Sequence, residues 1–312
     1  MNEVLFLNTF VKQCGVYQYG IRVYDIIKHS DIYAYKYYEI ESVADYCNAL
    51  LNHPTCVAVI YNYHSTPMSW LNPSCIQKRV KNIGIIHESD SYLFDIVVTP
   101  DPSVETYGLP RPIYNSFSLS SYEPSTAIIG DFIDIGKSGS APVIGSFGFG
   151  FLNKGFHHII SYVNTHYDDA IIKFVIPMAH YSNNHMYQSA IAACHSIITK
   201  PGIQLHITNE FLSNEDILAF LSSNTVNLFL YDYMYGRGIS SALDYAISVN
   251  RPFAISGSFM FRHIYKDDIC LDKNTIDHCI AHSLQYLPEL KEKYSHSNMI
   301  KRMDSIITAN CG

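Results

Sequence analysis

The 312-residue sequence is short of positive charge: 21 lysines and arginines stand against 28 aspartates and glutamates, for a net charge of −7. That balance excludes nucleic acid as the main partner, because a phosphate backbone demands a basic surface. A local basic pocket for one small anion stays open. No apolar run approaches the ~20 residues of a membrane span, so no transmembrane segment is expected, and peripheral membrane contact is left open. The N-terminus, Met1 to Asn8, lacks a basic region and reads as a first strand, not a signal peptide. The eight cysteines, at 14, 47, 56, 75, 194, 270, 279 and 311, never form Cys-x-x-Cys. Their scatter fits reduced, mostly buried thiols and a cytoplasmic location. Gly-x-Ser-x-Gly is missing, which leaves a serine hydrolase without support. The glycines of Gly145 to Gly150 do not match Gly-x-Gly-x-x-Gly, which weakens a dehydrogenase reading. Gly136-Lys137-Ser138 resembles the end of a phosphate loop, but Asp131 stands where that loop needs its first glycine.

What is present is a globular chain, 48% hydrophobic and 16% charged, with 25 tyrosines. Its length suits two domains. Apolar runs near 4–7, 32–37, 56–61, 83–86 and 94–99 alternate with helical patterns, and residues 100 to 140 read as loops and an interdomain linker. Further strands are expected at 142–147, 170–176, 203–208, 226–231 and 251–256. Between them lie helical stripes from Phe156, from Met186 and after the capping sequence Ser213 to Asp216. Two tail helices are expected at about 274–286 and 288–308. The alternation predicts an α/β fold of parallel sheets covered on both faces.

One stretch organises this pattern. Tyr231 to Ala246 reads as a strand end, a turn with Gly236 and Gly238, and a helix opening on Ser240 and Ser241, with Ile239, Ala242, Leu243 and Ala246 at helical spacing. Uncapped helix amides and the helix dipole favour an anion there, and Arg237 can fork onto phosphate oxygens. The same residues also suit a plain strand–helix turn.

The C-terminal half resembles the nucleotide-sugar domain of GT-B glycosyltransferases, most of all the retaining family-4 type. The residues concerned are Val143 to Phe147 with Asn153-Lys-Gly-Phe156, Leu212 to Leu218 with Val226 to Tyr231, and Tyr235 to Ala246 with Arg251 to Ser256. In the N-terminal half Gly15, His87 and Asp95 to Thr99 fall in the family's order. The resemblance implies two Rossmann-like domains facing each other across a cleft, with C-terminal helices crossing back. The expected division is 1–135 (acceptor side), 136–290 (nucleotide-sugar side) and 291–312, a helix packing back towards the first domain. The implied activity is transfer of a sugar from a nucleotide-sugar to a glycan or lipid-linked acceptor, with retention. The alternatives are a nucleotide-sugar epimerase of the same fold, or a non-catalytic sugar-nucleotide or glycan-binding protein.

Two departures stand out. Ser146 occupies the place of the family's arginine, for which Arg237 or Arg262 can substitute. The family's donor turn carries two glutamates eight apart; Asp244 stands for the second, and the first position is Gly236, with Asp232 as the nearest carboxylate. Lys154, Arg237 and the amides of Gly238, Ile239 and Ser240 are the candidates for holding the donor diphosphate. Ser146, Tyr235, Gly236, Ser241 and Asp244 complete the donor set, Asp244 as a ribose contact or a charge at the helix start. Gly15 and the Tyr17 loop are expected to approach the diphosphate from the other domain. His87 and Glu88 at one strand end, His64 at a neighbouring one, and Asp232 are the catalytic candidates. No two aspartates stand two apart, so the Asp-x-Asp cation site of the other major glycosyltransferase fold is missing, and neither a metal nor another cofactor is expected. His278 and His282 share a helix face, yet no carboxylate motif joins them, and they read as surface or packing residues.

Overall fold

The computed structural model describes residues 1–88, 92–115, 117–179 and 184–311. In chain order the elements are β1 (Asn2–Thr9), α1 (Gly15–Ile27), β2 (Tyr33–Ile40), α2 (Val43–Asn52), β3 (Ala58–Tyr63), β4 (Lys81–Ile86) and β5 (Ile96–Val98). Then follow α3 (Ala127–Asp134), β6 (Val143–Phe147), α4 (Phe156–His166), β7 (Asp169–Val175), α5 (Asn184–His195), β8 (Gly202–Thr208) and α6 (Asn214–Ser222). The chain ends with β9 (Val226–Phe229), α7 (Ala242–Ser248), β10 (Phe253–Ile255), α8 (Ile276–Lys293) and α9 (His296–Cys311). It divides into two compact units, Met1–Ile113 with Glu292–Gly312, and Tyr114–Lys291.

The first unit holds a parallel sheet in the order β2-β1-β3-β4-β5. Its central strands are apolar on both faces, as a sheet covered twice requires. Val4, Phe6 and Ile60 face α1 and α9 through Val23, Ile26, Met299 and Met303. Leu5, Leu7 and Val59 face α2 through Tyr46, Ala49 and Leu50. The α9 helix is also tied by Asp304, which accepts hydrogen bonds from Ser30 (2.7 Å) and Tyr35 (2.8 Å).

The second unit repeats the scheme with parallel order β10-β9-β6-β7-β8. Phe156, Ile159, Ile160 and Val163 of α4 bury their stripe against Ile144, Ile172, Phe174 and Leu228. Each such side chain contributes about 1.5–3 kcal/mol. Ser213 caps α6 by accepting from the Asp216 amide, as its sequence indicates.

Three expectations are corrected. Residues 100–140 are not all loop: Thr126 caps the short helix α3, whose Phe132 stacks on Phe220 of α6 at 5.8 Å. Its eight residues are too few for a clear period, and the exposed Ile128 blurs it further. Helix α1 starts at Gly15, so Tyr17 is helical and not part of a glycine loop. The tail does form two helices, but the first, α8, runs through Pro288 to Lys293, so the break falls before His296 and not at 287. The residue four back, Leu284, is 45% exposed, so its carbonyl loses its helical donor at a solvent-facing position. All eight cysteines are free thiols.

Candidate functional site

In an open parallel sheet, ligands bind beyond the carboxyl ends of the strands, where the strand order reverses. In the second unit that point lies between β6 and β9. Beyond β6 the chain passes Gly148 and a short 3-10 turn, Leu152–Lys154, before α4. Gly155 makes this path possible. Its φ is 64°, and a Cβ there would lie 1.8 Å from the Leu230 carbonyl oxygen. The Asp232 amide bonds the Asn153 carbonyl at 3.0 Å, which fastens the β9 exit to the same turn. Lys154 is thereby set with Nζ 4.2 Å from the centre of the Tyr231 ring. Helix α4 opens beside it with no side-chain cap, so its first amides and its dipole add positive potential.

The loop from Tyr231 to Ser241 is braced by the segment after β10. Tyr231 packs on Phe261 at 4.7 Å, and its carbonyl accepts from Ser256 at 2.7 Å. Ser258 donates to the Asp232 carbonyl, and Arg262 donates to the Arg237 carbonyl at 3.0 Å. The Arg262 guanidinium lies 4.1 Å above the Phe259 ring, on which Tyr235 packs at 5.2 Å. Arg237 is exposed, as is Tyr235 (81%), and Gly236 makes the turn at φ 77°. Burial pushes the Tyr231 phenol up to about 12, so it stays a neutral hydroxyl.

The structure differs from the sequence reading at several donor-set residues. The helix after this turn begins at Ala242, not Ile239. Gly238, Ile239, Ser240 and Ser241 therefore belong to the loop. Ser240 is 5% exposed, its amide donates to the Met260 carbonyl and its hydroxyl to Tyr231, so its amide is already committed. Asp244 is fully buried. Asp232 pairs with His158 at 2.8 Å, on a partly exposed surface. Ser146 is fully buried, and its hydroxyl has no hydrogen-bond partner among the described residues.

In the first unit the strand order reverses between β1 and β3. Here the strand ends carry a buried amide network. Asn62 Nδ2 donates to Asn8 Oδ1 (2.8 Å) and to the Val16 carbonyl (2.7 Å). Both partners are acceptors, which turns Asn62 Oδ1 towards His87 Nε2 at 2.7 Å and assigns the ring proton to Nε2. Asn8 Nδ2 in turn donates to the Tyr17 carbonyl and the Tyr37 hydroxyl. Gly20 leaves room for these amides: a Cβ there would meet Asn62 Nδ2 at 2.4 Å. Tyr19 packs edge-on to His87 at 5.0 Å, and the Arg111 guanidinium lies 4.9 Å from the Tyr19 ring. Burial, with Arg111 and His64 nearby, pushes His87 down to about 3. At that value His87 is a neutral imidazole at ordinary pH.

His64 and His87 are thus brought together, and Glu88 follows His87 in a left-handed conformation, φ 50°. Such a backbone costs of order 1 kcal/mol and often marks a site. His64 Nδ1 accepts from the Thr66 amide at 3.0 Å. Gly15 starts α1, with nothing within 4 Å of a Cβ built on it. Tyr17, by contrast, is 8% exposed and gives its hydroxyl to Glu39 at 2.7 Å. Sequence reading missed Asn8, Asn62, Gly20 and Arg111. Asparagines inside strand runs were the available signal, since a buried amide needs a partner.

No protein-family model matches the chain, and neither does any curated protein. Solved structures do. HepE of Anabaena in complex with UDP and glucose aligns with TM-score 0.68 at 10% identity, over 99% of this chain and 100% of that one. A glycosyltransferase of Rickettsia africae aligns with TM-score 0.65 at 12% identity, over 99% and 98%. The UDP-GlcNAc 2-epimerase of Neisseria meningitidis bound to UDP-GlcNAc aligns with TM-score 0.52 at 10% identity, over 99% and 100%. The fold is GT-B. Two parallel five-stranded sheets with flanking helices form its two Rossmann-like domains. At these identities the likeness establishes the GT-B architecture and leaves the chemistry to the residues.

Proposed function

We propose that the protein is a glycosyltransferase that takes a sugar from a uridine diphosphate sugar and passes it to a glycan or lipid-linked acceptor. The observation that carries this reading is the placement of Lys154. It stands at the β6/β9 switch point, one residue before Gly155 and the uncapped start of α4. An ammonium at a helix opening suits a diphosphate that gains charge as the sugar leaves. Arg237 on the adjacent loop and Arg262 on the segment bracing it add positive charge and take the part of the arginine replaced by Ser146. UDP and UDP-sugars occupy similarly folded proteins, which favours uridine as the base. In this reading the second unit holds the donor and the first serves the acceptor. His87 orients as a neutral hydrogen-bonding group, and His64 and Glu88 are the candidates for proton transfer. The reaction is read as retaining and as needing no metal at the diphosphate. The protein would act in the cytoplasm.

An epimerase is the second reading, favoured by the likeness to the UDP-GlcNAc 2-epimerase. The assay distinguishes the two. Nucleotide-sugars are screened by thermal shift, and the best ligand is followed for hydrolysis, epimerisation and transfer with a panel of acceptors. Transfer with a retained anomeric configuration supports the proposal. Epimerisation alone replaces it with the second reading, and no stabilisation by any nucleotide-sugar removes both. Stabilisation without turnover leaves a binding protein, the outcome suggested by the engagement of Asp232 with His158.

A further inference from the structure

The structure joins a carboxylate to the two helix histidines for which the sequence offered none. His278 and His282 lie four apart on α8, and their rings stack at 3.9 Å with planes 21° apart. The 3-10 turn Asp267–Ile269, ten residues upstream, brings Asp268 Oδ1 to 3.2 Å from His278 Nε2. One donor atom from each of Asp268, His278 and His282 lies within 4.8 Å of the other two. We propose that these three side chains form a binding site for a divalent transition-metal ion of the zinc type.

Four observations support the assignment. First, His282 bonds the His278 carbonyl through Nδ1 at 2.9 Å, which places its proton there and leaves the Nε2 lone pair as the ligand. A backbone carbonyl on the other ring nitrogen is the usual outer support of a metal-bound histidine. Second, the carboxylate arm is anchored. Lys273 pairs with Asp267 at 2.7 Å, and the Leu271 amide bonds the Ile255 carbonyl at 2.8 Å. Third, two imidazoles and one carboxylate are a donor set for zinc, nickel, cobalt or copper, whereas magnesium and calcium prefer oxygen alone. Fourth, Asp268 is exposed and both histidines are half-buried, so water can complete the coordination. Cys279 lies between the histidines in sequence but is fully buried in the core and takes no part.

The ion would clip the 267–269 turn to α8. The segment running back from that turn carries Phe259, Met260 and Arg262, which brace the Tyr231–Ser241 loop. The expected role is structural, and it does not depend on the proposed transferase activity.

The test uses the full chain freed of metal by a chelator. Zinc is titrated by calorimetry, cobalt is followed by visible absorption, and melting is recorded with zinc, magnesium and no metal. We expect one zinc per chain, ligand-field bands with cobalt, a raised Tm with zinc and no shift with magnesium. Asp268→Asn, at the exposed carboxylate, and His282→Ala, at a half-buried ring, should change the metal-free Tm little and weaken zinc binding roughly tenfold or more. Zinc binding that is absent from the natural chain overturns the proposal. So does binding that survives both substitutions, because the chain's 15 histidines would then account for it elsewhere.

Discussion

The strand ends of the two units solve different problems. In the first unit the switch point is filled with neutral amides. Asn8 and Asn62 are buried and bond each other, Asn62 also bonds the half-buried His87, and desolvation keeps that imidazole uncharged. In the second unit the corresponding point carries cations. Lys154 leans on Tyr231 and Arg262 on Phe259, with aromatic faces beneath the charges. A buried network gains rigidity from full satisfaction, and any gap in it is costly. A charged rim gains strength only when an anion arrives to meet it. The comparison shows one sheet topology carrying a hydrogen-bonded polar network in one unit and cations over aromatic rings in the other.

The largest expected effect tests the charged side. Lys154→Ala should lower kcat/KM with the best nucleotide-sugar by about 10²–10³-fold while leaving the urea midpoint nearly in place. Unchanged steady-state kinetics would remove Lys154 from the site. Next is the backbone that sets Lys154. Gly155→Ala puts a Cβ 1.8 Å from the Leu230 carbonyl oxygen at φ 64°, and should cost about 3 kcal/mol in urea unfolding. A loss under 1 kcal/mol would show that this turn relaxes easily.

Asn62→Ala breaks the neutral side. It strands Asn8, the Val16 carbonyl and His87 together, and a loss of about 1–3 kcal/mol is expected. If the variant unfolds at the natural urea concentration, the network does not hold the unit. A subtler effect follows from His87. The folded chain keeps it at about 3, below the usual ~6.5 of the unfolded chain. Between those values only the unfolded chain takes up the proton, so stability is complete above about pH 6.5 and declines towards pH 3. His87→Gln should shrink the difference in urea midpoint between pH 7 and pH 5; an equal difference in both proteins would contradict the neutral ring. Smallest of all is Tyr235→Ala. At 81% exposed, the ring should change stability by no more than about 0.5 kcal/mol, and a larger loss by thermal melt would mean the loop is packed more tightly than its exposure implies.

Much of the fold was legible in the chain. Runs such as Val4 to Leu7 and Ala58 to Tyr61 are apolar on both faces, and only a sheet covered twice accepts that pattern. The Ser213 cap and the α4 stripe were equally plain, because they depend on neighbours three and four residues away. Short or contrary signals were not legible. Helix α3 is too brief to show a period, and α8 runs through a proline that local rules treat as a stop.

The site divides in the same way. Sequence alone placed Lys154, the Gly236 turn and His87 just beyond strand ends, where the structure also has them, since each is tied to a strand by its own segment. It did not show that polar groups of Tyr17 and Ser240 meet Glu39 and Met260, residues 22 and 20 positions away. It missed the Asn8–Asn62–His87 chain and the Asp268–His278–His282 group for the same reason. Periodicity and local spacing determined the elements and their order. Which polar atoms meet across strands and turns was decided only by tertiary packing, because a hydrogen bond or a metal ligand set depends on distance in space and leaves no period in the chain.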